Sequence, residues 1–400
     1  MGDTLLVTHI GRLFTSTGRG VLTDAAVLID GGLIAWVGTT GEGPPHQADE
    51  VVDVEGALVT PGLIDAHTHP LYAGDRLAEI AQRSAGASYA EIAAAGGGIR
   101  STVAATRAAS RDDLAASLTA RLTRWLAAGT TTVEAKSGYH LDRDGEIAAV
   151  ALLAEMASRP DLPRVEVTFL GAHDVGPERT AGNDAYAVQA EAVARWCPDA
   201  VQAGARFVDV FCDAGYFTVP QARHVLAAGH AAGLRPRIHA DELTRTGACQ
   251  LAAELGAVSA DHLLCATDED ARALAHAGVV ATLCPVTALA LGRMPPAREL
   301  LDHGVELALG SDHNPGQSGV TDMSLVVGLA VHLLGLSIEE ALAAATTGGA
   351  AAVAAPERGS IRAGQVADLV SWDTDHEGAF AWQLPLAARR VWKGGRQVRP

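Results

Sequence analysis

Pro61-Gly62-Leu63-Ile64-Asp65-Ala66-His67-Thr68-His69 is an apolar run that ends in two histidines one residue apart. Successive side chains of a strand point to opposite faces, so residues i and i+2 share a face. Two imidazoles can therefore reach one metal ion from a single strand end. A lone His-x-His in a chain with 15 histidines says little. Its position after a buried-looking strand, at the start of a long alternating pattern, makes it half of a metal site whose other half must lie further along.

Seven more runs of the same kind follow: Thr131–Ala135, Glu166–Gly171, Phe207–Phe211, Arg237–Ala240, Val258–His262, Val279–Leu283 and Glu306–Ser311. With Leu63–His67 they make eight strand-like runs, each followed by Ala-rich, helix-forming sequence. Eight β/α units in succession predict a closed (β/α)₈ TIM-type barrel over residues 61–357 rather than an open doubly wound sheet. No Gly-x-Gly-x-x-Gly joins a strand to a helix, and Gly96-Gly97-Gly98 reads as a pliant loop, not a phosphate cradle.

The flanks read differently. Leu5–His9, Ala25–Ile29, Leu33–Val37, Val51–Val54 and Leu58–Thr60 are short strands, with Gly31-Gly32 as a hairpin turn. Gly359–Ile361, Ala367–Trp372 and Arg390–Trp392 are strand-like at the other end. Residues 1–60 and 358–400 are thus expected to form one small composite β-sandwich domain.

Composition narrows the partners. At 400 residues and 48% hydrophobic content the chain can bury a large core. Its net charge of −17 is spread along the sequence, which argues against nucleic acid or an anionic membrane as partner. An anionic small-molecule substrate would need a local cation. The five cysteines form no CxxC pair and are odd in number, the pattern of free thiols in a reducing cytoplasm. Neither a signal peptide nor a run of about 18 apolar residues is visible.

Barrel enzymes carry their chemistry at the C-terminal ends of the strands. There the first run brings His67 and His69, the fifth Ile238-His239-Ala240-Asp241-Glu242, the sixth Ala260-Asp261-His262 and the eighth Gly310-Ser311-Asp312. Histidines with a carboxylate suit Zn²⁺, and also Fe or Mn, with a place left for water. Alone, each would be a packing or capping residue; at four strand ends together they read as a metal site. Glu242, just past its strand, is placed to act as the proton-transferring base. His262 can polarise a carbonyl or meet a developing oxyanion.

The layout resembles the amidohydrolase superfamily. Gly62–His69, AAAGGGIRSTVAATR (Ala93–Arg107), EAKSGY (Glu134–Tyr139), TFLGAH (Thr168–His173), DVFC (Asp209–Cys212), IHADEL (Ile238–Leu243), SADHL (Ser259–Leu263) and SDHNPG (Ser311–Gly316) carry the resemblance in order across the barrel. The more specific phrases are similar to members that open the ring amide of an imidazolone bearing a propionate arm, in histidine degradation.

The resemblance implies one metal ion, Zn²⁺ first with Fe³⁺ or Mn²⁺ as alternatives, held by His67, His69, His239 and Asp312. It implies catalytic roles for Glu242, His262 and Asp312. Substrate contacts fall on Arg76, Tyr139, His173, Glu242, Asn314, Gly316 and Gln317, with Tyr89 a further position. It also implies a homodimer. Arg76 makes physical sense, since a guanidinium can pair bidentately with a propionate that an acidic protein otherwise repels.

Three features depart from the family pattern: Gln317 where a small hydroxyl residue is usual, His313 in place of an apolar or small one, and a Leu283–Ala288 stretch without an aromatic pair. Lys136, at the end of the second run, is not on the fourth run where some members carry a metal-bridging modified lysine, so a single ion is expected. The rival readings are a deaminase or cyclic amidase acting on another nitrogen heterocycle, and a barrel kept only for binding. The carboxylate-pairing Arg76 opposes the first, and the full set of ligands with Glu242 opposes the second.

Overall fold

The computed structural model describes residues 4–86, 97–179 and 184–399. Eight parallel strands follow one another around a barrel: Leu63–Asp65, Thr130–Lys136, Arg164–Ala172, Phe207–Cys212, Arg235–Ala240, Ser259–His262, Val280–Leu283 and Leu307–Leu309. Just beyond the strand ends, Ala66 N–H donates to Leu309 O (3.1 Å) and Asp312 N–H to His67 O (3.0 Å), linking last to first. The expected TIM-type barrel is what the chain forms.

These strands are buried on both faces, which is why they read as near-continuous apolar runs. Helices cover the outside with an apolar stripe. In Arg111–Ala127 the side chain of Ser110 caps the N-terminus by accepting from Asp113 N–H (3.1 Å). Leu114, Leu118, Leu122 and Trp125, three and four residues apart, face the barrel. Trp125 Nε1 also donates to Asp65 Oδ2 (2.9 Å) beneath the first strand end.

Both chain ends build a second sheet. Thr4–Phe14, Val21–Asp30, Leu33–Thr39, Glu50–Asp53 and Leu58–Pro61 join Leu369–Trp372, Ala388–Lys393 and Arg396–Arg399. The seam is antiparallel, with Leu369 opposite Pro61 and Ser371 opposite Val59. Gly31 and Gly32 take φ of 55° and 82° in the first hairpin, a left-handed turn that side chains with a Cβ disfavour. A register shift between Val7 and Ile10 bends the first strand, whose halves pair separately with Glu50–Asp53 and Leu58–Pro61.

The terminal strands join in one hydrogen-bonded sheet around its own core of Val7, Ile10, Leu13, Val27, Val59, Leu369 and Trp392, the β unit from both chain ends that the sequence predicts. One expectation needs correction. Gly359–Ile361 is not a strand. Ile361 is buried as a plug, with its N–H on Thr15 O (2.9 Å). Apolar character alone does not distinguish a plug from a strand.

Candidate metal centre and its cavity

The first strand stays extended past its last ladder bond, with Thr68 bridged to His313. Thr68 faces the second strand, where its hydroxyl donates to Glu134 O (2.6 Å) and its N–H to Glu134 Oε2 (3.1 Å). Pinning the middle residue outward turns both neighbours inward. His67 Nε2 and His239 Nε2 each lie 3.3 Å from His69 Nε2. Asp312 Oδ1 is 3.6 Å from His67 Nε2 and 3.4 Å from His69 Nε2. The structure thus brings the four expected ligands together, all of them buried.

The opposite ring nitrogens are held from below. His67 Nδ1 bonds Asp261 Oδ2 (2.7 Å), and His239 Nδ1 lies 3.0 Å from Asp209 Oδ2, whose other oxygen accepts the His239 N–H (3.1 Å). Carboxylates on Nδ1 place the proton there and aim the Nε2 lone pair at the centre. Thr287 Oγ1 donates to Asp312 Oδ2 (2.5 Å), fixing that carboxylate. Asp241, His262 and Asp312 have φ of 49°, 75° and 47°. Left-handed backbone at three non-glycine residues costs on the order of 1 kcal/mol or more each, a strain that accumulates at functional sites.

Deeper in the barrel lies a network that reading strand ends did not reveal. Lys136 Nζ is 2.9 Å from both Glu134 Oε1 and Asp209 Oδ2, and Arg237 Nη2 is 3.1 Å from Asp261 Oδ2. These five side chains are wholly buried. Burial opposes the Lys136 charge, but Asp209 and Glu134 outweigh it and raise its pKa. Burial would likewise raise Asp261, yet Arg237 and Lys136 hold it down at about 2. Lys136 is enclosed by two carboxylates. The signal for the network was present, since Glu134 and Lys136, Arg237 and His239, and Ser259 and Asp261 are i, i+2 pairs inside apolar runs.

Glu134, Asp209 and Asp261 share Lys136 and Arg237, while Asp312 faces the histidines, so carboxylates outnumber the lysine and arginine cations around the cluster among the described residues. A divalent cation at the Nε2 cluster would offset that excess, and three imidazole nitrogens with a carboxylate form a borderline-hard donor set. His69 Nδ1 and both ring nitrogens of His262 are buried without a hydrogen-bond partner among the described residues. The residues present fit a metal ion. Asp241, Cys249 and Asp270 also converge, but Asp241 accepts from the N–H groups of Thr246 to Cys249 and Asp270 pairs with Arg245, so these residues brace a loop.

Above the cluster is a cavity of about 200 Å³. Glu242, His262 and Asp312 line it together with Tyr139, His173, Arg76, Asn314 and Gln317. Burial pushes the Glu242 carboxyl up to about 7. Burial lowers His262, but Glu242 (3.9 Å away), Asp312 and Asp261 outweigh it and raise its pKa. Asp213 accepts from Leu243 N–H (2.7 Å) and Thr244 N–H (3.1 Å), anchoring the turn after Glu242. His173 stacks on His69 at 5.0 Å and donates Nδ1–H to Gly138 O (3.0 Å), leaving Nε2 as its acceptor.

Asn314 Oδ1 accepts from Gly316 N–H and Gln317 N–H, both at 2.8 Å, which folds the loop into a turn. Gly316 stands behind Arg76: a Cβ there would meet Nη1 at 2.4 Å. Gly316→Ala should displace the guanidinium and raise KM several-fold with little change in kcat, checked by steady-state kinetics. Tyr89 lies outside the described residues.

The departures also find places. Gln317 joins the cavity wall. His313 turns away from it, donating Nδ1–H to Val320 O (3.2 Å) and accepting from the Tyr72 hydroxyl at Nε2 (3.2 Å). Burial holds its pKa down at about 4, so it is neutral. The Leu283–Ala288 stretch supplies Thr287, the residue bonded to Asp312.

Comparison with known proteins agrees with this architecture. The family model described as the amidohydrolase family matches residues 72–399. An imidazolonepropionase of Streptomyces avermitilis is 43% identical over 95% of this chain and 88% of its own length. Another, of Salinispora arenicola, is 42% identical over the whole of both chains. Among solved structures, the A. niger ochratoxinase superposes with a TM-score of 0.73 at 18% identity, covering 100% of this chain and 96% of its own. That likeness is one of fold.

Proposed function

This chain belongs to the amidohydrolase family and, within it, to the imidazolonepropionases, and on that premise we propose that it hydrolyses the ring amide of 4-imidazolone-5-propanoate to N-formimidoyl-L-glutamate. The observation that carries this reading is one cavity whose wall includes members of the cation-binding cluster, Glu242 and Arg76. A small cyclic amide with a carboxylate arm offers a partner to each of them.

His67, His69, His239 and Asp312 would hold a single ion, zinc first; when bound, such an ion acts as a Lewis acid and acidifies water. Arg76 receives the propionate, with Asn314 and Gln317 beside it, and Tyr139 and His173 flank the ring. Glu242 takes the proton of the attacking water, the role that a carboxyl with a pKa near neutrality suits. His262, whose pKa the carboxylates around it raise, donates to the oxyanion that forms on the ring carbonyl. Glu242, with Asp312, then returns the proton to the departing ring nitrogen, and the C–N bond opens.

All five cysteines are free thiols, in keeping with a reducing cytoplasm, where we place the enzyme. No helix among the described residues is long and apolar enough to cross a membrane.

The direct test is turnover of freshly generated imidazolonepropionate with identification of the ring-opened product. Absence of that product from metal-loaded protein would reject the reading. Arg76→Ala should raise KM roughly 10- to 100-fold, the loss of charge-assisted bonds of about 1.5–3 kcal/mol, and change kcat far less. An unaltered KM would remove Arg76 from the carboxylate site.

A further inference from the structure

A buried carboxylate stands beside the guanidinium that is to receive the substrate's own carboxylate. Glu79, in the first turn of the helix Leu77–Ser84, is only 6% exposed, and Arg76 only 9%. On charge alone this is a poor arrangement, because Glu79 repels the anion that Arg76 attracts. Its geometry explains its presence. Glu79 Oε2 accepts from Arg76 Nε (2.9 Å) and lies 2.9 Å from Nη2, so one carboxylate oxygen holds a whole edge of the guanidinium. Glu79 Oε1 accepts from Gly98 N–H (2.7 Å).

Gly98 is the N-cap of the helix Ile99–Ala108 and has φ of 72°, a conformation suited to glycine. Ile99, the next residue, is part of the cavity wall. On the other side of Arg76, Gly316 leaves no room for a Cβ beside Nη1. The guanidinium is thus gripped between Glu79 and the Gly316 backbone, and the same carboxylate joins it to the wall carried by Ile99.

We propose that Glu79 is a positioning residue: it orients Arg76 for the substrate carboxylate and couples that clamp to the Gly98–Ile99 wall. The proposal rests on the reading of Arg76 as the carboxylate clamp. An arginine with its long side chain already immobilised loses less rotamer freedom when the anion arrives. That gain outweighs the added repulsion, which sets the sign of the test.

The experiment uses the metal-loaded enzyme, with steady-state kinetics on imidazolonepropionate and calorimetric binding of N-formimidoyl-L-glutamate. Glu79→Ala should raise KM about five- to tenfold, weaken product binding by a similar factor and leave kcat within about twofold. Glu79→Gln removes the charge but keeps an acceptor for the Arg76 edge, and should stay within about twofold of the wild-type KM. In an Arg76→Ala background, Glu79→Ala should add no further rise, because the residue acts through Arg76.

A KM for Glu79→Ala at or below wild type would show that charge governs, and would overturn the proposal. So would full additivity with Arg76→Ala, or an equal loss in kcat. If Glu79→Ala does not fold, Glu79→Met, of similar volume and without an acceptor, carries the same expectations. Arg76→Ala with unaltered KM would instead refute the clamp itself. Absence of both imidazolone turnover and product binding in the wild type would refute the substrate itself, a result distinct from a Glu79→Ala KM at or below wild type.

Discussion

Replacing Glu242 with glutamine should lower kcat by about 10²- to 10⁴-fold, the usual contribution of a positioned general base. Bound metal, measured by elemental analysis, should stay near the wild-type stoichiometry, because the Nε2 cluster and Asp312 are unchanged. The pH dependence gives a second readout. A base must be ionised to take a proton, so wild-type kcat/KM should fall as pH drops through the Glu242 pKa. Burial pushes that pKa up to about 7, and a cation bound nearby draws it down. The acid limb should therefore lie at about 7 or below, and the residual activity of Glu242→Gln should lack it. Wild-type turnover in the variant would remove Glu242 from the mechanism.

The second large effect lies below the metal centre. Lys136→Met keeps an unbranched side chain of similar length but strips the cation from between Glu134 and Asp209. Removing one partner of a buried ion pair typically costs about 3–5 kcal/mol, because the charge left behind has no water to solvate it. Arg237 Nε, 3.9 Å from Glu134 Oε1, softens the loss, so the lower end of that range is expected in urea unfolding. Metal affinity should fall about 10- to 100-fold as well, since Asp209, which orients His239, loses its counter-charge and Asp261, which orients His67, is left with Arg237 alone. Unchanged unfolding and unchanged metal affinity would show that Lys136 is not a keystone of the network.

The two substitutions mark what reading the chain could and could not reach. Glu242 was legible because it follows His239 at the end of an apolar run, where barrel chemistry sits. The placing of His67 with His69 on one face needed only the two-residue period of a strand. The eight barrel strands were legible for a related reason: strands buried on both faces are apolar at every position, which a local window detects. The substrate arm came from resemblance in phrases such as SDHNPG, since no local rule says what Arg76 should bind.

What escaped was pairing across distance. His67 takes its carboxylate from Asp261, 194 residues away, and Trp372 Nε1 reaches Thr60 Oγ1 across 312. Asp261 is the chain neighbour of His262, yet the strand register sends it to His67. Ile361 looked like part of a strand and is a plug, because burial depends on what lies opposite and not on the residue alone. The sequence by itself determined the strand period, the barrel class and the inward-facing ligands. Only the tertiary structure decided which carboxylate holds which histidine, why Lys136 is closed off, and how Glu79 grips Arg76. Backbone alternation is a local property of covalent geometry, whereas partners inside a closed barrel are chosen by register and by the need to leave no buried charge unpaired.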